Sequence, residues 1–334
     1  MKARVFTTLL VALIALPAVA LALQPAEEGV PAGQWPAPPH QTPPVEIEGV
    51  AAEAEAEGSA GLFGVAVESG KRTTTRGDRL AYDLYIPQAA PGKPAPPWPA
   101  VVLNHGFARD KKFHSRNARY LAERGVVVLT PNLVSLFSGA RAQLACIADT
   151  RDHVAWLKAR AQTPGDRLYG LVAPERIALA GHSAGGAVAF EAAEGESGVR
   201  AVVLLDAVPW DRTIETAQKM TVRRLASLRS EPSGCNMDGN VRKLLAHLGF
   251  ESDDVRLARG THCDPENPTD IFCRVFCEGT DAGVRALYQR LFYLFVQDAL
   301  EVPSVEDPPD SFEEAIRRGV QSRALVVEHV VPKP

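Results

Sequence analysis

The segment Ile177-Ala178-Leu179-Ala180-Gly181-His182-Ser183-Ala184-Gly185-Gly186 constrains this chain more than any other. Its first four residues form a short, wholly apolar run, which reads as a strand buried on both faces. Ser183 follows between Gly181 and Gly185 in a G-x-S-x-G spacing, and a helical pattern continues to about residue 194. A strand that turns at once into a helix crowds the backbone on both sides of the turn. Side chains next to the serine would collide there, and Gly181 and Gly185 remove them. The Ser183 hydroxyl is then expected to stand above the sheet at a helix N-terminus, where free N–H groups and the helix dipole favour developing negative charge. An incidental serine in a glycine-rich turn would share these letters. The strand before it and the helix after it set this one apart.

The rest of the chain repeats the theme. Residues 62–68 and 79–86 read as two strands around a Gly/Lys/Arg/Thr turn, an antiparallel hairpin. Short apolar runs at Ala100-Val101-Val102-Leu103, at Val126-Val127-Val128-Leu129-Thr130, at 200–205, at about 222–229 and at 254–258 alternate with helical patterns at 113–124, 140–160 and 281–300. Strands without polar alternation need cover on both faces. The pattern therefore predicts an α/β fold of three layers: a mainly parallel central sheet, antiparallel first strands, and helices on both faces. The expected domain spans 60–301. A tail, 302–334, carries a short helical pattern near 311–319 that the sequence does not place.

The N-terminus predicts export. Lys2 and Arg4 precede an apolar stretch from Val5 to Leu23, and small residues stand at Ala18, Ala20 and Ala22. This reads as a signal peptide, 1–22, cleaved after Ala20 or Ala22. A retained anchor is disfavoured by Pro17 and by the marginal length. Residues 23–59 read as a Pro/Ala-rich linker, with seven prolines between 24 and 46. The product is expected to be secreted or periplasmic, monomeric, and without stable membrane insertion once cleaved. A net charge of -4, with basic residues scattered, argues against nucleic-acid binding. In an oxidising compartment four of the five cysteines can form two bridges. Cys146, alone in a helical pattern, is the expected free thiol. Cys273 and Cys277 stand four apart, and on a helix each should pair outward, with Cys235 or Cys263, because disulfide geometry is demanding.

A serine nucleophile needs three kinds of help. Leu103-Asn104-His105-Gly106-Phe107 closes the first central strand. The backbone N–H groups of Phe107 and Ala184 are the expected oxyanion donors, with Gly106 letting the chain approach. His105 reads as a hydrogen-bonded brace of that loop. Gly260-Thr261-His262-Cys263-Asp264 follows the last short strand, which makes His262 the expected base. The acid is Asp206, straight after the apolar run Ala201–Leu205, with Glu231 as the alternative and Asp238 third.

These residues resemble the α/β-hydrolase superfamily, and more narrowly its chlorophyllase and polyester-hydrolase (cutinase-like, dienelactone-hydrolase-like) branch. The resemblance covers about residues 62–300. It rests on Val101–Phe107, Tyr120–Val128, Gly181–Gly186, Leu205-Asp206-Ala207-Val208-Pro209 and Gly260–Asp264. The Asp206 segment is similar to that of chlorophyllases, which implies Asp206 as the acid. Polyester hydrolases carry an Asn-Asp turn after the following strand, where this chain has Ser230-Glu231-Pro232-Ser233, a departure from that subclass. The resemblance implies an α/β-hydrolase fold and a serine esterase acting on a small-molecule or polymeric ester, with no cofactor and no metal. Three rival readings share these residues: a zinc site at His262, Cys263, Cys273 and Cys277, whose spacing fits no standard knuckle; a non-catalytic binding protein of this fold; and acyl transfer to an acceptor other than water.

Overall fold

A computed structural model describes residues 62–134, 140–306 and 308–328. The expected signal peptide and linker lie outside the described residues. The first hairpin is β1 (Gly64–Thr73) and β2 (Arg79–Gln88), antiparallel as expected. β3 (Trp98–Asn104) leads through a loop and one 3-10 turn to α1 (Ser115–Ala122) and β4 (Val127–Pro131). Then come α2 (Ala140–Gln162), β5 (Val172–His182), α3 (Ala184–Ala193) and β6 (Val199–Leu205). The second half holds α4 (Asp211–Ala217), β7 (Arg224–Arg229), α5 (Val241–Leu245), β8 (Asp253–Leu257), α6 (Ile271–Phe276) and α7 (Ala282–Leu300). Helix α8 (Phe312–Gln321) and β9 (Leu325–Val327) close the chain.

The nine strands form one sheet in the order β1-β2-β4-β3-β5-β6-β7-β8-β9. From β4 to β8 all neighbours are parallel, while β1, β2 and β9 join antiparallel at the two edges. The apolar runs divide their side chains between two cores. Ala100 and Val102 face the core under α2 and α3, while Val101 and Leu103 face the core under α1 and α7. This is why the strands lack polar alternation: both faces are covered.

Two features were not legible beforehand. The tail is part of the sheet: Val255, Arg256 and Leu257 of β8 pair with Val327, Val326 and Leu325. Its helix α8 lays Phe312 and Ala315 on the second core. The short helices α4, α5 and α6 fall in stretches that the apolar pattern left as loop. Each is five to seven residues long, too short to show a helical period. Among the described residues no helix is long and apolar enough to cross a membrane.

The chain runs from β3 to β4 on one side, then returns to place β5 on the other side of β3. Such a reversal leaves a crevice at the carboxyl ends of the two strands. Asn104 and Gly181, the register partners at those ends, bring the loop after β3 and the turn after β5 to the same spot.

Candidate active site

Ser183 sits in the tight turn between β5 and α3 with φ 55° and ψ -127°, in the region that L-residues rarely occupy. The surroundings hold it there. Its N–H donates to the Leu205 carbonyl at 3.1 Å, and its carbonyl accepts from Gly186 and Val208 at 3.0 and 3.1 Å. The flanking glycines are required by contact. A Cβ on Gly181 would lie 2.2 Å from the Gly185 carbonyl oxygen, and one on Gly185 would lie 2.2 Å from the His105 carbonyl oxygen. The second contact shows that the turn is pressed against the loop after β3.

That loop lies against the serine. A Cβ on Gly106 would stand 3.1 Å from Ser183 Cβ. Phe107 lines the same cavity as Ser183, and Ala184 is the first residue of α3, whose first-turn N–H groups lack intrahelical acceptors. His105 braces the loop as expected. Its Nε2 accepts from the Leu133 N–H at 2.9 Å while Nδ1 meets the Gly106 carbonyl at 2.9 Å, and burial pushes its pKa down.

Asp206 follows β6 and His262 follows β8, two strands that lie on the same side of β5 in the sheet. His262 Nε2 is 3.0 Å from Ser183 Oγ, and His262 Nδ1 is 2.6 Å from Asp206 Oδ2. With its proton on Nδ1, facing the carboxylate, the ring accepts from the serine hydroxyl through Nε2. Asp206 is buried at the end of β6, and its backbone N–H is tied to the Leu228 carbonyl at 2.7 Å. It also accepts from the Ser230 N–H at 2.9 Å, from Ser230 Oγ–H at 2.5 Å and from Asn236 Nδ2 at 3.2 Å. Burial alone would raise its pKa, but these donors, His262 first among them, outweigh it and hold the group below the usual range. Glu231, the alternative acid, is half-exposed and pairs its carboxylate with Arg256, while the Nδ1 of His262 meets Asp206. Asp238 is exposed, and its backbone N–H donates to the Ser233 carbonyl at 2.9 Å.

Several contributors carried no sequence signal. Ser230 and Asn236 support Asp206. Each hydrogen bond to a carboxylate is worth about 1.5–3 kcal/mol, so the pair matters to its orientation. The His182 ring lies 4.7 Å from that of His262, and its Nε2–H donates to the His262 carbonyl at 2.6 Å. Glu266 is buried beside His182 and takes an ion pair from Arg109 at 2.7 Å. Burial pushes the Glu266 carboxyl up, yet His182 and Arg109 overcome it and hold the pKa near about 2. Asp264 ties the His262 loop to α7, accepting from the Thr261 N–H at 2.7 Å and the Asp281 N–H at 2.8 Å. Trp210 packs against the first core and does not line the cavity.

Arg109 lies two residues past Phe107, and Glu266 lies four past His262, so their ion pair joins the loop after β3 to the His262 loop. Thermal denaturation of Arg109→Met, Glu266→Gln and the double variant is expected to give a coupling of about 1–3 kcal/mol. Additive effects would show that the pair does not join the loops.

Two disulfides frame the site. Cys235 bonds Cys277, and Cys263, next to His262, bonds Cys273. Each of the α6 cysteines therefore pairs outward, as the spacing predicted. Cys146 is free and buried, and burial pushes its thiol up to about 12. The zinc alternative needs the thiols that these bridges use. The cavity at the serine holds about 200 Å³.

Sheet order, crevice and elbow together define an α/β-hydrolase fold. Residues 85–224 match the family model of the chlorophyllases, a family of the α/β-hydrolase superfamily, so this stretch is similar to the chlorophyllase branch and agrees with the fold. The matched stretch contains Phe107, Ser183, Ala184 and Asp206, while His262 lies beyond it. That similarity points to a hydrolase acting on esters in general. No curated protein matches the chain.

Proposed function

We propose that this protein is an exported serine hydrolase that cleaves carboxylic esters through Ser183, His262 and Asp206, by way of an acyl-enzyme. The observation that carries the reading is the hydrogen-bonded line from Asp206 through His262 to Ser183, with steps of 2.6 and 3.0 Å and one residue from each of three strand ends. His262 takes the Ser183 proton as Oγ attacks the ester carbonyl. Asp206 holds the ring and stabilises the imidazolium that forms. The oxyanion is received by the N–H groups of Phe107 and Ala184, worth about 3–4 kcal/mol for each donor. His262 returns its proton to the leaving alcohol, then activates water, which releases the acid. The two disulfides and the basic, apolar N-terminus support export.

A fluorophosphonate probe tests the nucleophile. It should add one label to the wild type, located on Ser183 by peptide mass, and none to Ser183→Ala. Equal labelling of both would sink the assignment.

The pH dependence follows from burial. Desolvation pushes the His262 pKa below its usual 6.5, and the opposing pull of Asp206 does not restore it. A depressed pKa keeps the ring neutral, and able to act as base, to lower pH. The kcat/KM for a soluble ester should therefore rise with pH to a plateau, with its midpoint below 6.5. A midpoint above neutrality would contradict a His262 base in this setting.

A further inference from the structure

A G-x-S-x-G spacing leaves the position before the serine open, and here it holds His182, a residue that the proposed reaction does not use. His182 is the last residue of β5 and is buried, with 2% of its surface in water. Burying an imidazole is unfavourable unless its nitrogens meet polar groups. Both of them face the chain that follows β8 and carries the base.

Nε2 stands 2.6 Å from the main-chain carbonyl oxygen of His262. A carbonyl only accepts, so the bond runs from the His182 ring to the backbone of the base. Nδ1 faces Glu266 Oε1 at 3.4 Å. That carboxylate is itself held: Arg109 Nε donates to it at 2.7 Å and Thr269 Oγ at 3.1 Å. The ring is confined on its other sides. A Cβ on Gly106 would come within 3.2 Å of Nδ1, and the rings of His262 and His114 lie 4.7 and 6.2 Å off.

Serine and base reach the site on segments 79 positions apart. Asp206 orients the His262 ring at Nδ1, while His182 holds the backbone from which that ring hangs. The donor sits one residue before Ser183, so a single side chain ties the backbone of the nucleophile to that of the base. A reacting group displaced by about 1 Å can cost about a hundredfold in rate.

We propose that His182 is a positioning residue of the reaction: braced by Glu266 and Arg109, it grips the His262 carbonyl and sets the approach of the base to Ser183. The proposal rests on the esterase reading of Ser183 and His262 and adds a residue to it. His182 acts through His262 and takes no part in the proton transfer itself.

Steady-state hydrolysis of a p-nitrophenyl ester by three variants tests it, each beside a thermal melt. His182→Phe keeps a ring and removes the donor. Its kcat should fall about thirtyfold or more, with KM within about twofold. His182→Gln brings an amide N–H to the same carbonyl and should recover kcat to within about fivefold of the wild type. A side chain that only filled space would be replaced better by the ring than by the amide. Glu266→Gln loosens the brace. It should lower kcat about threefold to tenfold in the wild type and have no further effect beside His182→Phe. Unchanged kcat in His182→Phe, a loss carried by KM instead, or a glutamine variant as impaired as the phenylalanine one would overturn the proposal. If His182→Phe does not fold, unchanged kcat in Glu266→Gln would overturn it. Turnover by the wild type and its fluorophosphonate label on Ser183 report on the esterase reading separately. Without them that reading fails; with them, an unaffected His182→Phe fails this proposal alone.

Discussion

Ser183→Ala is expected to lower kcat for any ester substrate by a factor of about ten thousand to a million, leaving the fold unchanged. Chemistry and structure separate cleanly at this position. The strained φ of 55° is imposed by backbone hydrogen bonds to Leu205, Gly186 and Val208, none of which uses the side chain. Alanine has the same Cβ and meets the same strain. Only the hydroxyl and its 3.0 Å contact with His262 are lost. The variant should therefore melt within a few degrees of the wild type while losing the atom proposed to form the acyl-enzyme. The measurement is steady-state hydrolysis of a p-nitrophenyl ester beside a thermal melt. Residual turnover above about 1% would remove Ser183 from the mechanism, because the background left by an intact oxyanion hole is far smaller.

Asp206→Asn is expected to cost about a thousand- to ten-thousandfold in kcat, and Glu231→Gln less than about threefold. The contrast comes from geometry. Asp206 accepts from His262, Ser230 and Asn236 inside the protein. An amide there presents its own N–H to a set of donors, and the ring can lose the Nδ1–H tautomer that leaves Nε2 free to accept from the serine. Glu231 is partly exposed and paired with Arg256, so its charge is screened and its loss tolerated. Both variants should be assayed with a melt, since breaking the buried pair also lowers stability. Near-full activity in Asp206→Asn, with a large loss in Glu231→Gln, would transfer the acid's role to Glu231.

How much of this could be read beforehand varies with the range of the interaction. The strands from β3 to β8 announced themselves, because a sheet covered on both faces demands uninterrupted apolar runs. The elbow was legible because its crowding forces glycine at two fixed offsets. The cysteine pairing was bounded by local geometry: four residues on a short helix cannot close on themselves. The sequence offers both Asp206 and Glu231 as the acid, since each follows an apolar strand. Only the direction in which each carboxylate leaves the sheet separates them. Arg109 and Glu266, 157 positions apart, carried no signal, because an ion pair across the fold leaves no spacing in the chain. The tail had none either. A three-residue strand has no measurable period, and β9 exists because β8 offers it an edge.

By itself, then, the sequence determined the class of layer architecture, the position of a serine in a glycine-flanked strand–helix turn and a short list of candidate partners, because each depends on local sterics or on which faces must avoid water. The tertiary structure alone decided that β5 lies beside β3 across the switch in strand order, that Asp206 and not Glu231 meets His262, and that His182 reaches the main chain of His262. Those outcomes depend on where distant segments meet in space, and a linear pattern of apolar and polar residues does not encode distance across a sheet.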